Sequence, residues 1–260
     1  MSQRPQSCPP GWYAILQGEE FDLEDWCHSL NEPFEPVAFK LPSGETVLRS
    51  SEFDDAETAA EVRERALILI GRFNGAINLW NDAQPVKLGG VCKIDEEGRQ
   101  HSTVFMEALS LNVGRFRLSA TVTQIGPDGK PVPLPPPRPS KPQEWNRLAE
   151  ANDNISDLLE HAGRADNWYD IYKTLELADL VMGKNRRFEK MFTKDEADID
   201  LLKSSANFYR HARAYRPPNL LSLTEARPIL SYAVKKVLDT LSANASNAAL
   251  GSTTALNRPC

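Results

Sequence analysis

The sequence predicts an α+β protein: an N-terminal antiparallel sheet with one long packed helix, a Pro-rich linker, and a C-terminal four-helix bundle. Three observations predict it. The first half alternates short β-patterned runs with turn residues around a single long apolar stripe of helical period. Seven of the twelve residues from Pro131 to Pro142 are proline, and such a segment joins neither a sheet ladder nor a helix interior. After it come four amphipathic stretches with short connections, for which a bundle is the default packing. The expected organisation is a sheet domain over 12–134, a linker over 131–142, a helical bundle over 144–242 and a disordered tail over 243–260.

Trp12-Tyr-Ala-Ile-Leu16 reads as the opening strand. Asp22 is placed to cap a short helix with Leu23, Trp26, Cys27 and Leu30 on one side, and Glu19, Glu20, Asp22, Glu24 and Asp25 read as a solvated acidic turn. Val37–Leu41 and Thr46–Arg49 flank Pro42-Ser-Gly-Glu45, a hairpin with its turn chemistry in place. A long helix is expected from Asp54 or Asp55, with Val62, Ala66, Leu69, Ile70, Phe73, Ile77 and Trp80 on one buried stripe. Asn74, Asn78 and Asn81 form a second row at the same spacing, either a polar edge or an amide ladder for a ligand. Val86–Ile94 and Thr103–Leu109 are strands around Asp95-Glu-Glu-Gly98, and Gly89-Gly90 marks a strand irregularity. From Arg115 to Thr123 apolar and polar residues alternate with the period of a half-buried strand, and Gly126-Pro-Asp-Gly129 turns the chain. Arg115 and Arg117 would lie on the outer face of that sheet, either as solvated charges or as a surface for an anion or nucleic acid.

The linker run Pro133-Leu-Pro-Pro-Pro-Arg-Pro139 has the P-x-x-P form that docks in aromatic grooves. Four helices are expected beyond it: Trp145–Ala162, Asn167–Met182, about Asp195 to Tyr215, and Leu223–Leu241 behind a Ser222/Glu225 capping box. The tail after Ser242 is Ala, Asn, Ser, Thr and Gly, too poor in large apolar residues for a core.

Charge and cysteine usage narrow the function classes. The net charge is −6, but residues 1–130 hold 12 Lys/Arg against 20 Asp/Glu and residues 144–260 hold 16 against 16. Overall acidity speaks against coating nucleic acid along the whole surface and leaves room for a local basic face. Cys8, Cys27, Cys92 and Cys260 are scattered, as in a reduced cytoplasmic protein. The chain shows no apolar run of signal-peptide or membrane-helix length. His28, His101, His161 and His211 have no partner at metal spacing, and neither a P-loop nor a G-x-G-x-x-G is present, so no metal or cofactor is expected.

One stretch concentrates chemistry. From Leu201 to Arg216 there is no acidic residue, and Lys203, Arg210, His211, Arg213 and Arg216 are interleaved with Tyr209 and Tyr215. Cations beside stacking rings are what phosphates and unstacked bases require. Asn207, Tyr209, Arg210, His211 and Arg213 are therefore the candidate ligand-binding residues. Asp179 falls within the apolar arc of Trp168, Tyr172 and Leu175, where a charge needs a partner; Arg213 is the candidate. The bundle, with its third helix ending in Asn207-x-x-Arg210-His211, resembles the HEPN superfamily of bacterial helical domains over residues 144–242. That resemblance implies RNA cleavage or nucleotide binding in toxin or phage-defence systems, and assembly as a homodimer. Catalytic members carry an Arg followed four to six residues later by His, whereas here His211 directly follows Arg210. The expectation is accordingly a binding or regulatory protein contacting RNA, a nucleotide or a protein partner. The alternatives are a metal-independent ribonuclease using Arg210 and His211, and a purely structural interaction subunit.

Overall fold

A computed structural model describes residues 8–104, 136–183, 187–192, 196–211 and 218–255. Strands β1 (Gly11–Gln17), β2 (Val37–Lys40), β3 (Thr46–Arg49), β4 (Lys87–Ile94) and β5 (Gln100–Val104) form one sheet in the order β2-β3-β1-β4-β5. Every neighbouring pair is antiparallel. The expected segments over 105–135, including Arg115, Arg117 and the first three residues of the P-x-x-P run, lie outside the described residues.

The two glycines in β4 do what an irregularity there should. Ile15 pairs with Gly90 and Leu16 with Leu88, so Gly89 is the extra residue of a bulge. Because one inserted residue flips all later side chains to the other face, Leu88 and Val91, three apart, both join the core beneath the sheet. Cys92 and Ile94 belong to the opposite face with Tyr13, Ile15 and Val47. That second face is itself buried.

Helix α1 (Glu20–Ser29) buries Trp26 as its spacing predicts, but its cap is Glu19 and not Asp22. Asp22 is inside the helix and buried, accepting a 2.7 Å hydrogen bond from the Gln84 amide; Asp25 is buried too. These two acids are structural, not a solvated turn. A short 3-10 turn (Ser51–Phe53) precedes α2 (Ala59–Asn81). The start of α2 lies after Asp54 and Asp55 because Thr58 accepts from the Glu61 amide and Glu61 reaches back, a local capping exchange that fixes the boundary. The apolar stripe of α2 is buried from Val62 to Ile77, each large side chain contributing about 1.5–3 kcal/mol. Trp80 is the exception: half exposed, it meets Trp145 edge to face at 6.4 Å.

The asparagine row is neither a wet edge nor a ligand ladder. Asn74 donates to the Val86 carbonyl at 2.9 Å and accepts from the Val86 amide at 2.8 Å. Asn78 donates to Ala83 O and Asn81 to Ser29 Oγ. Asn74 and Asn78 thus satisfy backbone groups of the 82–86 connection and fasten it to α2, while Asn81 ties α2 to the end of α1.

Six helices follow among the described residues: α3 (Lys141–Glu150), α4 (Asp153–Gly163), α5 (Trp168–Met182), α6 (Arg187–Met191), α7 (Glu196–Arg210) and α8 (Leu223–Ala255). The expected single helix over Trp145–Ala162 is two, because Asn152 caps a new start by accepting from Asn154 N. The end of the proline-rich segment is the first turn of α3, where Pro142 needs no donor. The Ser222/Glu225 box forms as predicted. Helix α8 continues past Ser242 to Ala255: alanine cannot build a core, yet it has the best helix propensity.

The sheet layer and the helical region share one core running from Ala14 and Leu16 through Phe73 and Ile77 to Leu158, Leu159 and Val237. The closest approach is between α2 and α4. A side chain at Gly75 would place its Cβ 1.8 Å from Leu159 O, and one at Gly163 would sit 2.7 Å from the Gly75 amide nitrogen. Arg72 Nε also donates to Ser156 Oγ at 2.7 Å.

Candidate functional site

The candidate patch is assembled by α5 and the last turn of α7, which pack on each other. Asn167 caps α5 by accepting from the Asp170 amide at 3.0 Å, and so fixes where the first ring of the helix points. Trp168, Tyr172 and Glu176 follow at intervals of four, one row on one face of α5. Trp168 stacks on Tyr209 with ring centroids 4.6 Å apart and planes 14° from parallel. One turn on, the Arg210 guanidinium lies 3.9 Å over the Tyr172 ring. A further turn on, Arg210 Nη1 is 3.6 Å from Glu176 Oε1. His211 meets Tyr172 edge to face, centroids 6.4 Å apart.

Helix α7 runs to Arg210. On a continuing helix Arg210 and His211 would diverge by about 100°. The His211 amide still donates to the Asn207 carbonyl, and also to that of Phe208, both at 3.3 Å; both side chains nonetheless reach Tyr172, the guanidinium over its face and the imidazole at its edge. The expected extension of this helix to Tyr215 lies outside the described residues, as do Arg213 and Arg216.

The patch is open to solvent. Tyr209 is 42% exposed, Arg210 and His211 are exposed and Asn207 is half buried. Arg210 is not sealed against a carboxylate, since Glu176 is itself exposed and also lies 3.7 Å from Lys173. A surface pair of this kind contributes at most about 1 kcal/mol, and the stacking on Tyr172 adds about 0.5–1 kcal/mol. Lys203 sits 4.9 Å from the Phe188 ring. The inward side of α7 is Ile199, Leu202, Ser205 and Ala206, with Ser205 Oγ accepting from the Leu221 amide at 3.0 Å.

Asp179 does not occupy the buried arc. It is exposed, and Leu175, Leu177 and Ala178 face the core instead. The wheel drawn through Trp168 and Tyr172 misplaces it because those two rings are only half buried and point at the patch, not at the centre of the bundle.

On the α4 side of α5, away from the patch, stands a pair that sequence spacing does not single out: His161 Nδ1 lies 3.0 Å from Asp170 Oδ1, and Asp170 Oδ2 accepts from Asn167 Nδ2 at 2.7 Å. The signal available was Asn167 three residues before Asp170, a capping spacing. No group of three or more His, Cys, Asp or Glu side chains is placed to hold a metal among the described residues. No described helix is long and apolar enough to cross a membrane. Comparison with protein-family models, curated proteins and solved structures finds no match to this chain.

Proposed function

We propose that this chain is a non-catalytic binding protein whose α5–α7 patch takes single-stranded RNA. The supporting observation is the exposed row of ring and cation: Trp168 on Tyr209, then Arg210 over Tyr172 with His211 at its edge. Flat faces held in register with a guanidinium suit unpaired bases and phosphates together. Adjacent Asn207 supplies an amide for a base edge. A fluorescent single-stranded RNA of mixed sequence, titrated by anisotropy at low salt, tests it. Binding should weaken about tenfold in Arg210→Ala and Tyr209→Ala, with a shallower salt dependence for the arginine variant. Parent-like affinity in both variants, or no binding by the parent, removes this function.

One observation favours the ribonuclease alternative: Arg210 and His211 converge on a single ring, so a proton-transfer group and a charge-stabilising group are neighbours in space. Incubation of the same RNA in chelator separates the two functions. A nuclease cleaves it and His211→Ala does not, while intact RNA after prolonged incubation leaves binding alone. For assembly, α5 also exposes Tyr169 and Leu180 at 62% and 58%, apolar surface that supports contact with a second copy or a protein partner.

A further inference from the structure

The segment that leads into α3 carries an interaction surface of its own. Residues 136–140 are neither helix nor strand, and Pro136, Pro137 and Arg138 are exposed. Pro131, Pro133 and Pro135 lie outside the described residues, but Pro136-Pro-Arg-Pro139 has the P-x-x-P spacing without them. Proline fixes φ at 136, 137 and 139, and a residue followed by proline is kept out of the helical region, which applies to Pro136 and Arg138. The rings therefore hold this backbone close to the polyproline II form before any partner arrives. In that form three residues make a turn with a rise of about 3.1 Å each, so Pro136 and Pro139 share one edge and Arg138 lies on another.

The downstream end of the segment is fixed. Ser140 caps α3, its Oγ accepting from the Gln143 amide at 3.2 Å and its own amide donating to Gln143 Oε1 at 3.0 Å. Ser140 Oγ also donates to Ser29 O, and Gln143 Nε2 to Phe34 O at 2.7 Å. One residue past Pro139 the chain is thus tied to α3 and to the loop after α1. A segment that served only to close the body would lay its rings on it, whereas Pro136 and Pro137 stand in solvent. A ligand anchored at one end and stiffened by its own rings loses little freedom on binding.

We infer that Pro136-Pro-Arg-Pro139 is a docking ligand for a partner protein with a groove of aromatic rings bordered by a carboxylate. The rings of the groove pack the edge formed by Pro136 and Pro139, and the carboxylate pairs with Arg138. No acidic residue occurs between Lys130 and Gln143, so an acidic border meets no like charge along the segment. None of these residues belongs to the α5–α7 patch, so the surface neither rests on RNA binding nor falls with it.

An isolated SH3 domain, which has a groove of this kind, is the probe, titrated into the full-length protein by calorimetry. Saturable binding is expected. The double substitution Pro136→Ala with Pro139→Ala should weaken it about tenfold or more, and Arg138→Glu should weaken it about tenfold. All three positions lie outside helix and strand and leave the Ser140 cap in place, and thermal melting confirms that the variants remain folded. The inference is overturned if the domain gives no saturable heat, or if either variant binds it as the parent does.

Discussion

Asp95 shows how one side chain holds a turn. Partial burial would raise its pKa, but hydrogen bonds from the Arg99 backbone, His101 and the Arg99 guanidinium outweigh that and hold the carboxyl well below the ordinary range. A carboxyl with a depressed pKa stabilises the fold above its unfolded value of about 3.9, and that contribution is lost as pH falls towards the folded value. Urea midpoints taken between about pH 5 and pH 3 should therefore fall more steeply for the parent than for Asp95→Asn; parallel slopes would refute this. On the opposite sheet face, burial first, then the neighbouring Glu45 and Cys8, pushes the Cys92 thiol up to about 12. A thiol so protonated is packing material and not a nucleophile.

At the scale of elements, the crossing of α2 and α4 decides how the two layers meet. Helix propensity alone says that Gly→Ala inside a helix gains about 1 kcal/mol. Gly75 reverses that sign, because its Cβ would fall within bonding range of Leu159 O and the helices would have to part. Gly75→Ala should cost about 3 kcal/mol by chemical denaturation. Gly71→Ala, which meets only the flexible Glu160 side chain, should be close to neutral and serves as its control. Equal stability of the two variants would mean that the helices do not touch there. The outer edge of the α5–α7 contact is a line of rings and one guanidinium, Trp168 on Tyr209 and Arg210 over Tyr172, above the buried apolar residues of the two helices.

For the whole molecule, Gln143 shows how the end of the proline-rich segment is fastened to the sheet layer. This fully buried side chain accepts from Ser140 N at 3.0 Å and donates to Phe34 O at 2.7 Å, with Asn31 O and Pro36 O at 3.2 Å. Ser140 Oγ donates to Ser29 O as well. The start of α3 is thus bonded to the loop between α1 and β2, and the core passes through both layers. Thermal unfolding followed by tryptophan fluorescence and by far-ultraviolet circular dichroism should give one coincident transition. Two separated transitions would show that the layers are stable without each other.

Local order was legible in the amino-acid sequence itself: the first strand, the 42–45 hairpin, the stripe of α2, the Gly89 irregularity and the Ser222 cap. Each depends on periodicity, turn chemistry or capping within a few residues, and such forces act without knowledge of distant partners. The cation-and-ring composition of the patch was legible for the same reason. Its geometry was not. That Arg210 and His211 meet on Tyr172 depends on where α7 ends and what it packs against, and that Asp179 is wet while Asp22 is buried depends on which helix face another element covers. Asn74 and Asn78 found their partners in the 82–86 connection and Asn81 in Ser29, Gly75 found Gly163 across 88 residues of chain, and only the folded backbone brings such pairs within the few ångströms over which hydrogen bonds and packing act.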